Sequence, residues 1–330
     1  MRKTAFLAFI WAVIAGTTLK NDETLFRKTD YIVPTVISPE NNLFTNKRYE
    51  LGKRLFFDPM LSRDSSISCS SCHLPSNAFS DTLQFSLGVQ NRIGVRNTPS
   101  IMNVAFHPYY NKDGGVNTLE KQVLVPIQEH IEMDFNIVNI SDRMLRDSSY
   151  YSMSEEAYGR YPDPFVISRA LACFERTLIS SNSRFDQYVN SGVPLNPLEL
   201  KGMELFFGKK ANCVSCHSGF NFSNYSFENN GLKLIYTDSG RMRVTNLESD
   251  RGLFKVPSLR NVELSGPYMH DGSVRSLIEV IEHYSEGIKP FKNKSEQIES
   301  LELSINEKEA LLSFLLTLTD ESLKQNKNEK

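Results

Sequence analysis

Apolar residues recur at helical spacing in several stretches of this chain, and long strand-like alternation is scarce. YELGKRLFFDPMLS (49–62) places Leu51, Leu55 and Phe56 on one face, and Pro59 predicts where the helix stops. LNPLELKGMELFFGKK (195–210) predicts a second helix, with Asn196 as cap, Pro197 in the first turn and Glu199 closing a capping box. Both carry Leu-Phe-Phe near their ends, at 55–57 and 205–207, a weak internal repeat that suggests two related domains. PFVISRALACFERTLIS (164–180) is helical with Cys173 in its apolar middle, where a free cysteine is most simply buried. SINEKEALLSFLLTLTD (304–320) opens with a Ser304/Glu307 capping box and continues as an amphipathic helix. Residues 20–45 show little periodicity and read as a linker or surface arm. The expected class is all-α with long loops.

Composition changes the picture little. The chain has 330 residues, enough for about two domains, and a formal net charge of -2, which offers no basic surface for nucleic acid. Arg2 and Lys3 precede an apolar run from Ala5 to Ala15, too short to span a membrane and suited to a cleaved export signal over 1–18. No later run is long enough to span, and no Cys near the expected cleavage point offers a lipid anchor. The expected location is the periplasm.

Two motifs carry the chemistry: CSSCH at 69–73 and CVSCH at 213–217. Paired CxxC thiols serve zinc sites and dithiol redox centres, but neither needs the histidine that follows both times. Covalent haem does: two thiols on one turn reach the two vinyl edges, and the adjacent imidazole is carried beneath the iron. Cys69, Cys72 and His73 are therefore read as holding haem 1, and Cys213, Cys216 and His217 as holding haem 2.

With these motifs in place, RNTPSIMNVAFHPYYNKDGG (96–115), LEKQVLVPIQEHIEM (119–133) and FKVPSLRNVELSGPYMHDGSVRSLIEVIEHY (254–284) resemble the bacterial dihaem cytochrome c peroxidase and MauG superfamily, over roughly 45–320 and closest to its MauG-like members. The resemblance implies two cytochrome c-like domains, here 46–182 around haem 1 and 183–330 around haem 2, after an arm at 19–45. It implies Gln122 and Glu132 over a peroxide site at haem 1, with Pro126 shaping the pocket, and Glu132 as the group that moves a proton during O–O cleavage. Where many members cap haem 1 with a His, this chain has Val89, which implies an open iron; His107 and His130, the nearest alternatives, read as ordinary loop or surface residues.

Where dihaem peroxidases place a Met on haem 2, counted from the histidine matched here by His270, this chain has Tyr284, as MauG does. A phenolate favours oxidised iron, whereas Met raises the potential. His283 is a rival. At about 100° per residue Leu277, Ile278, Ile281 and Tyr284 share one face and His283 points away from it. The family's inter-haem Trp is replaced by Lys112, beside Tyr109 and Tyr110, and the only Trp is Trp11 in the expected signal. The resemblance further implies a calcium ion held by the Asn97 side chain and the carbonyls of Ser265 and Pro267, an oxygen-only set suited to that ion.

The expected protein is a periplasmic dihaem oxidoreductase that reduces hydrogen peroxide at haem 1 with electrons relayed through haem 2 from a small redox protein, a cytochrome c or cupredoxin. The alternatives are a MauG-type oxidase acting on a protein substrate and a non-enzymatic dihaem electron carrier or redox sensor.

Overall fold

A computed structural model describes residues 26–325; the expected signal, Trp11 and the start of the arm lie outside the described residues. Among the described residues thirteen α-helices follow in order, with short 3-10 segments between them: α1 Asn46–Phe57, α2 Cys69–Cys72, α3 Leu119–Gln122, α4 Leu124–Gln128, α5 Ile137–Leu145, α6 Ser148–Tyr158, α7 Pro164–Glu175, α8 Arg184–Ser191, α9 Pro197–Phe207, α10 Met242–Thr245, α11 Leu277–Glu282, α12 Ile305–Leu316 and α13 Glu321–Gln325. The only sheet among the described residues is a two-residue antiparallel pair, β1 Phe227–Glu228 with β2 Phe254–Lys255. None of these helices is long and apolar enough to cross a membrane.

The long helices begin where side-chain caps can form. Thr45 accepts from the Arg48 amide to start α1, and Asp58 ends it immediately before Pro59. Asp163 accepts from the Val166 amide with Pro164 in the first turn of α7. Asn196 and Glu199 close a reciprocal capping box on α9, and Ser304 and Glu307 do the same on α12.

Two large hydrophobic cores result, each centred on one pair of crossed helices, with a small third cluster of Val104, Tyr110, Leu119 and Ala172 beside them. In the first, α1 crosses α7, and a Cβ on Gly52 would stand 1.9 Å from the Ala170 carbonyl oxygen. In the second, α9 crosses α12, and a Cβ on Gly202 would stand 1.9 Å from the Ala310 carbonyl oxygen. Aromatic contacts repeat as well: Phe56 and Phe174 have ring centroids 5.0 Å apart, Phe206 and Phe314 5.1 Å. The repeat is thus longer than Leu-Phe-Phe. Gly-x-x-Leu-Phe-Phe (52–57 and 202–207) meets Ala-Leu-x-x-Phe (170–174 and 310–314) in both halves.

The segment before α1 runs mostly exposed over the surface, as expected of a linker or arm, but it is pinned at two points. Tyr31 is 2% exposed and sits 5.0 Å from Phe222 and 5.4 Å from Phe185, inside the second core. Asn42 is buried at the other end, donating to Glu120 and to the Arg169 carbonyl of the first half. The segment straps one core to the other, anchored by single residues rather than by a periodic face.

Candidate haem-binding and peroxide site

Each CxxCH stretch forms one tight turn. The His73 amide donates to the Cys69 carbonyl at 3.0 Å and the His217 amide to the Cys213 carbonyl at 2.8 Å. Nδ1 of His73 then donates to the Phe79 carbonyl, and Nδ1 of His217 to the Phe222 carbonyl, both at 2.9 Å. Phe79 and Phe222 both hold left-handed backbone conformations, with φ of 54° and 50°, which turn those carbonyls inward. With Nδ1 taken, the tautomer is fixed and Nε2 keeps its lone pair for a metal. Burial pushes the thiols up, Cys72 to about 11 and Cys213 to about 12, away from the thiolate character of a dithiol redox centre. Among the described residues no three His, Cys, Asp or Glu side chains converge on a metal-holding group, so the four thiols do not make a zinc site.

On the first side, Glu132 lies near enough to Cys72 for its charge to act on that thiol. By accessible surface Glu132 is an exposed residue, yet the protein packed around its carboxyl, with Glu129 nearby, pushes that carboxyl up to about 7. Gln122, at the end of α3, holds a buried Oε1 with no hydrogen-bond partner. Pro126 lies within α4 between them, and the chain after Glu132 folds back on that helix: the Met133 amide donates to the Pro126 carbonyl at 3.1 Å. Val89 is fully buried, and its amide donates to the Glu132 carbonyl at 2.9 Å.

His130 is a surface residue, its Nδ1 3.2 Å from Asp134. His107 is not. It is enclosed between the halves, 5.0 Å from the Tyr225 ring, with Nδ1 3.5 Å from Lys255 Nζ and Nε2 buried without a partner. It is a loop residue, as expected, but not a surface one, because the second half folds over it.

On the second side, Tyr284 lies close enough to Cys213 and Cys216 for both thiols to act on its phenol, and burial pushes that phenol up to about 12. The helical-face reading needs correction. His283 is buried, not turned to solvent, and Ile278, placed on the core face, is 37% exposed. Two causes are visible. The helix changes to a π turn over His283–Gly287, so the 100° step no longer holds, and the loop around Asn230 covers the side opposite the core. Nε2 of His283 lies 3.0 Å from the Asn230 carbonyl, to which it donates.

Asn97 is buried. Its Nδ2 faces the Leu83 and Gln84 carbonyls at 3.3 and 3.4 Å, its Oδ1 has no hydrogen bond among the described residues, and its amide donates to the His270 carbonyl, beside the segment that carries Ser265 and Pro267. Tyr109 stacks on Phe227 at 5.2 Å and donates to the Tyr225 carbonyl, so it reaches the second half. Tyr110 is buried, and burial pushes Lys112 down to about 8. Cys173 is buried in α7, as expected.

The di-haem cytochrome c peroxidase profile matches residues 46–193. The methylamine utilization protein MauG of Methylophilus methylotrophus is 34% identical over 88% of this chain and 88% of its own. The chain belongs to the di-haem cytochrome c peroxidase/MauG family. Cytochrome c551 peroxidase of Nitrosomonas europaea is 36% identical over 74% of each chain. The crystal structure of a MauG-like protein associated with microbial copper homeostasis superposes with a TM-score of 0.84 at 34% identity, covering 89% of this chain and 96% of that one. This di-haem peroxidase/MauG chain is accordingly a mostly helical oxidoreductase of a peroxidase group. Its residues fit the group's cofactor: two partly buried CxxC turns, two imidazoles each held through Nδ1 by a backbone carbonyl, and a buried Gln122 Oε1 without a hydrogen-bond partner.

Two residues at the second turn escaped the sequence reading. Asn230 was readable only as part of an Asn-Gly turn signal, and Met269 lies inside the very segment used to place Tyr284.

Proposed function

We propose that this chain is a periplasmic, peroxide-dependent dihaem oxidoreductase that reduces hydrogen peroxide at haem 1 with electrons passed through haem 2 from a small redox protein. Two cytochrome c-like domains, 46–182 and 183–330, each hold one covalent haem. Cys69 and Cys72 carry haem 1 with His73 as its iron ligand; Cys213 and Cys216 carry haem 2 with His217 and Tyr284 as its ligands. The bound haems supply the electron-transfer and peroxide chemistry.

The observation that carries this reading is Glu132: a carboxyl pushed up to about 7, near enough to Cys72 to act on its thiol, on a segment whose carbonyl accepts from the amide of Val89, the fully buried residue that stands in place of a capping histidine. A group titrating near neutral pH can take a proton from one peroxide oxygen and return it to the other. Gln122 Oε1 supports this role as an acceptor for the peroxide hydrogen. Asn97 Oδ1, with the Ser265 and Pro267 carbonyls, is the proposed calcium site. The apolar run at 5–15 supports export.

The MauG-type alternative, oxidation of a protein substrate, is favoured by Tyr284 at haem 2, because a hard anionic donor resists the prior reduction that a donor-fed peroxidase uses. Denaturing mass spectrometry and spin resonance test the common core: the chain should carry two haem masses, with one high-spin and one low-spin ferric centre. Stoichiometric peroxide added to the diferric protein separates the readings. Changes at both haems support the MauG-type oxidase, and reaction only after haem 2 is reduced supports the peroxidase. Two low-spin centres inert to peroxide would sink both.

A further inference from the structure

We propose that Asn230 is a positioning residue that selects which side chain occupies the sixth position of haem 2, holding Tyr284 in place and keeping Met269 and His283 out. The inference rests on the reading of Tyr284 as that ligand.

Asn230 touches three residues whose side chains are all common haem ligands. Its carbonyl accepts from His283 Nε2 at 3.0 Å. Its Nδ2 lies 3.4 Å from the Tyr284 hydroxyl and 3.3 Å from the Met269 sulfur. Imidazole, phenol and thioether thus meet on one residue beside the Cys213 and Cys216 attachment turn.

The asparagine is itself rigidly placed. The Asn229 side chain donates to the Gly252 carbonyl at 2.9 Å and accepts from the Tyr236 hydroxyl at 3.1 Å. On the other side, Gly231 takes φ +68°, its carbonyl accepts from the Lys289 amide at 2.7 Å, and a Cβ there would stand 2.7 Å from Ile288. The turn carrying Asn230 is therefore docked on the chain just past the π turn that carries Tyr284. Tyr284 is fixed from behind by the Leu301 amide, which donates to its carbonyl at 3.1 Å. Met269 is fixed by its backbone: φ is +74°, uncommon for a non-glycine residue, and the next ring, His270, stacks on Phe254 at 4.1 Å.

The three contacts act differently. The bond to the Asn230 carbonyl occupies the His283 Nε2 proton and turns that nitrogen away from any metal. A hydrogen bond to a phenol oxygen is strengthened when that oxygen carries charge, as it does on a metal, so the amide favours Tyr284 as a ligand. The same amide proton on a neutral thioether withdraws density from a weak donor and holds Met269 back.

The test uses the holoprotein and the near-isosteric Asn230→Asp, which keeps the carbonyl bonded to His283 and removes the amide donor. Ferric Asn230→Asp should lose the tyrosine-to-iron charge-transfer signature, gain a thioether-ligated low-spin haem 2 and show a raised haem 2 midpoint potential. In Asn230→Asp/Met269→Leu that low-spin signal should vanish and a high-spin haem 2 replace it. Tyr284→Phe is measured alongside. If Tyr284→Phe leaves the haem 2 spectra unchanged, the ligand assignment itself falls. If Tyr284→Phe alters them while Asn230→Asp does not, or if Asn230→Asp becomes histidine-ligated, the selector role of Asn230 is overturned and the assignment of Tyr284 stands.

Discussion

The Val89 amide donates to the Glu132 carbonyl at 2.9 Å. The residue standing where a capping histidine is expected is thus tied, backbone to backbone, to the segment that carries the proposed acid-base group. Gly88 makes the contact closer still: a Cβ there would stand 2.1 Å from the Ile131 oxygen and 2.6 Å from the Glu132 oxygen. Gly88→Ala should therefore push residues 131–132 aside. Misplacing a positioned group by about an ångström costs on the order of 10²-fold, so peroxide reaction should slow by about that factor while both haems stay attached. Stopped-flow mixing with peroxide checks this, and an unchanged rate would show that the contact does not set the position of Glu132.

Glu132 also fixes a pH dependence. Its carboxyl is raised to about 7 by burial, so it is protonated below that pH and charged above it. The first step needs the charged form as proton acceptor, so the peroxide reaction should accelerate as pH rises through about 7 and level off beyond. Glu132→Gln should flatten that limb and lower the plateau by ~10²–10⁴. A limb that survives the substitution would assign it to another group.

The two helix crossings should be intolerant of even one methyl group. Gly52→Ala and Gly202→Ala each aim a Cβ at a backbone carbonyl, which cannot rotate away. Overpacking of this kind costs about 1–3 kcal/mol and sometimes more. The unfolding temperature of the holoprotein should fall for each variant, with the disturbance of the haem spectrum confined to the half that carries the change.

Asp186 and Arg260 form a buried pair in the second half, 2% and 1% exposed at their side chains and joined at 2.8 Å. Arg260 also donates to the Phe220 carbonyl just after the second CxxCH. Arg260→Leu strands a buried carboxylate and should cost about 3–5 kcal/mol, whereas Asp186→Leu/Arg260→Leu should recover part of it. Denaturant titration of the three proteins measures the difference, and equal losses would refute a stranded charge.

What could be read in the sequence was local. The Asn196/Glu199 and Ser304/Glu307 caps were legible because partner and acceptor are three residues apart, and the CxxCH turns because attachment chemistry fixes their spacing. The burial of His283 was not, because the lid over it comes from Asn230, 53 residues earlier. Met269 and Tyr284 likewise meet Asn230 across 39 and 54 residues. The anchoring of Tyr31 depends on a pocket built by α8, α9 and Phe222, which no window around residue 31 contains. The enclosure of the loop residue His107 was hidden for the same reason: nothing in its own segment records that Tyr225 and Lys255 would close over it.

The paired glycine crossings separate structure from chemistry within one chain. Backbone resting on backbone at Gly52 and Gly202 is indifferent to what either half binds, since no ligating side chain takes part in it. The excursions between the crossed helices, 58–163 in one half and 208–304 in the other, differ in their elements. Those excursions supply Glu132 and Gln122 on one side and Asn230, Met269 and Tyr284 on the other. The chain behaves as two copies of one chassis fitted with different tools, and either set can be re-engineered without rebuilding the frame that carries it.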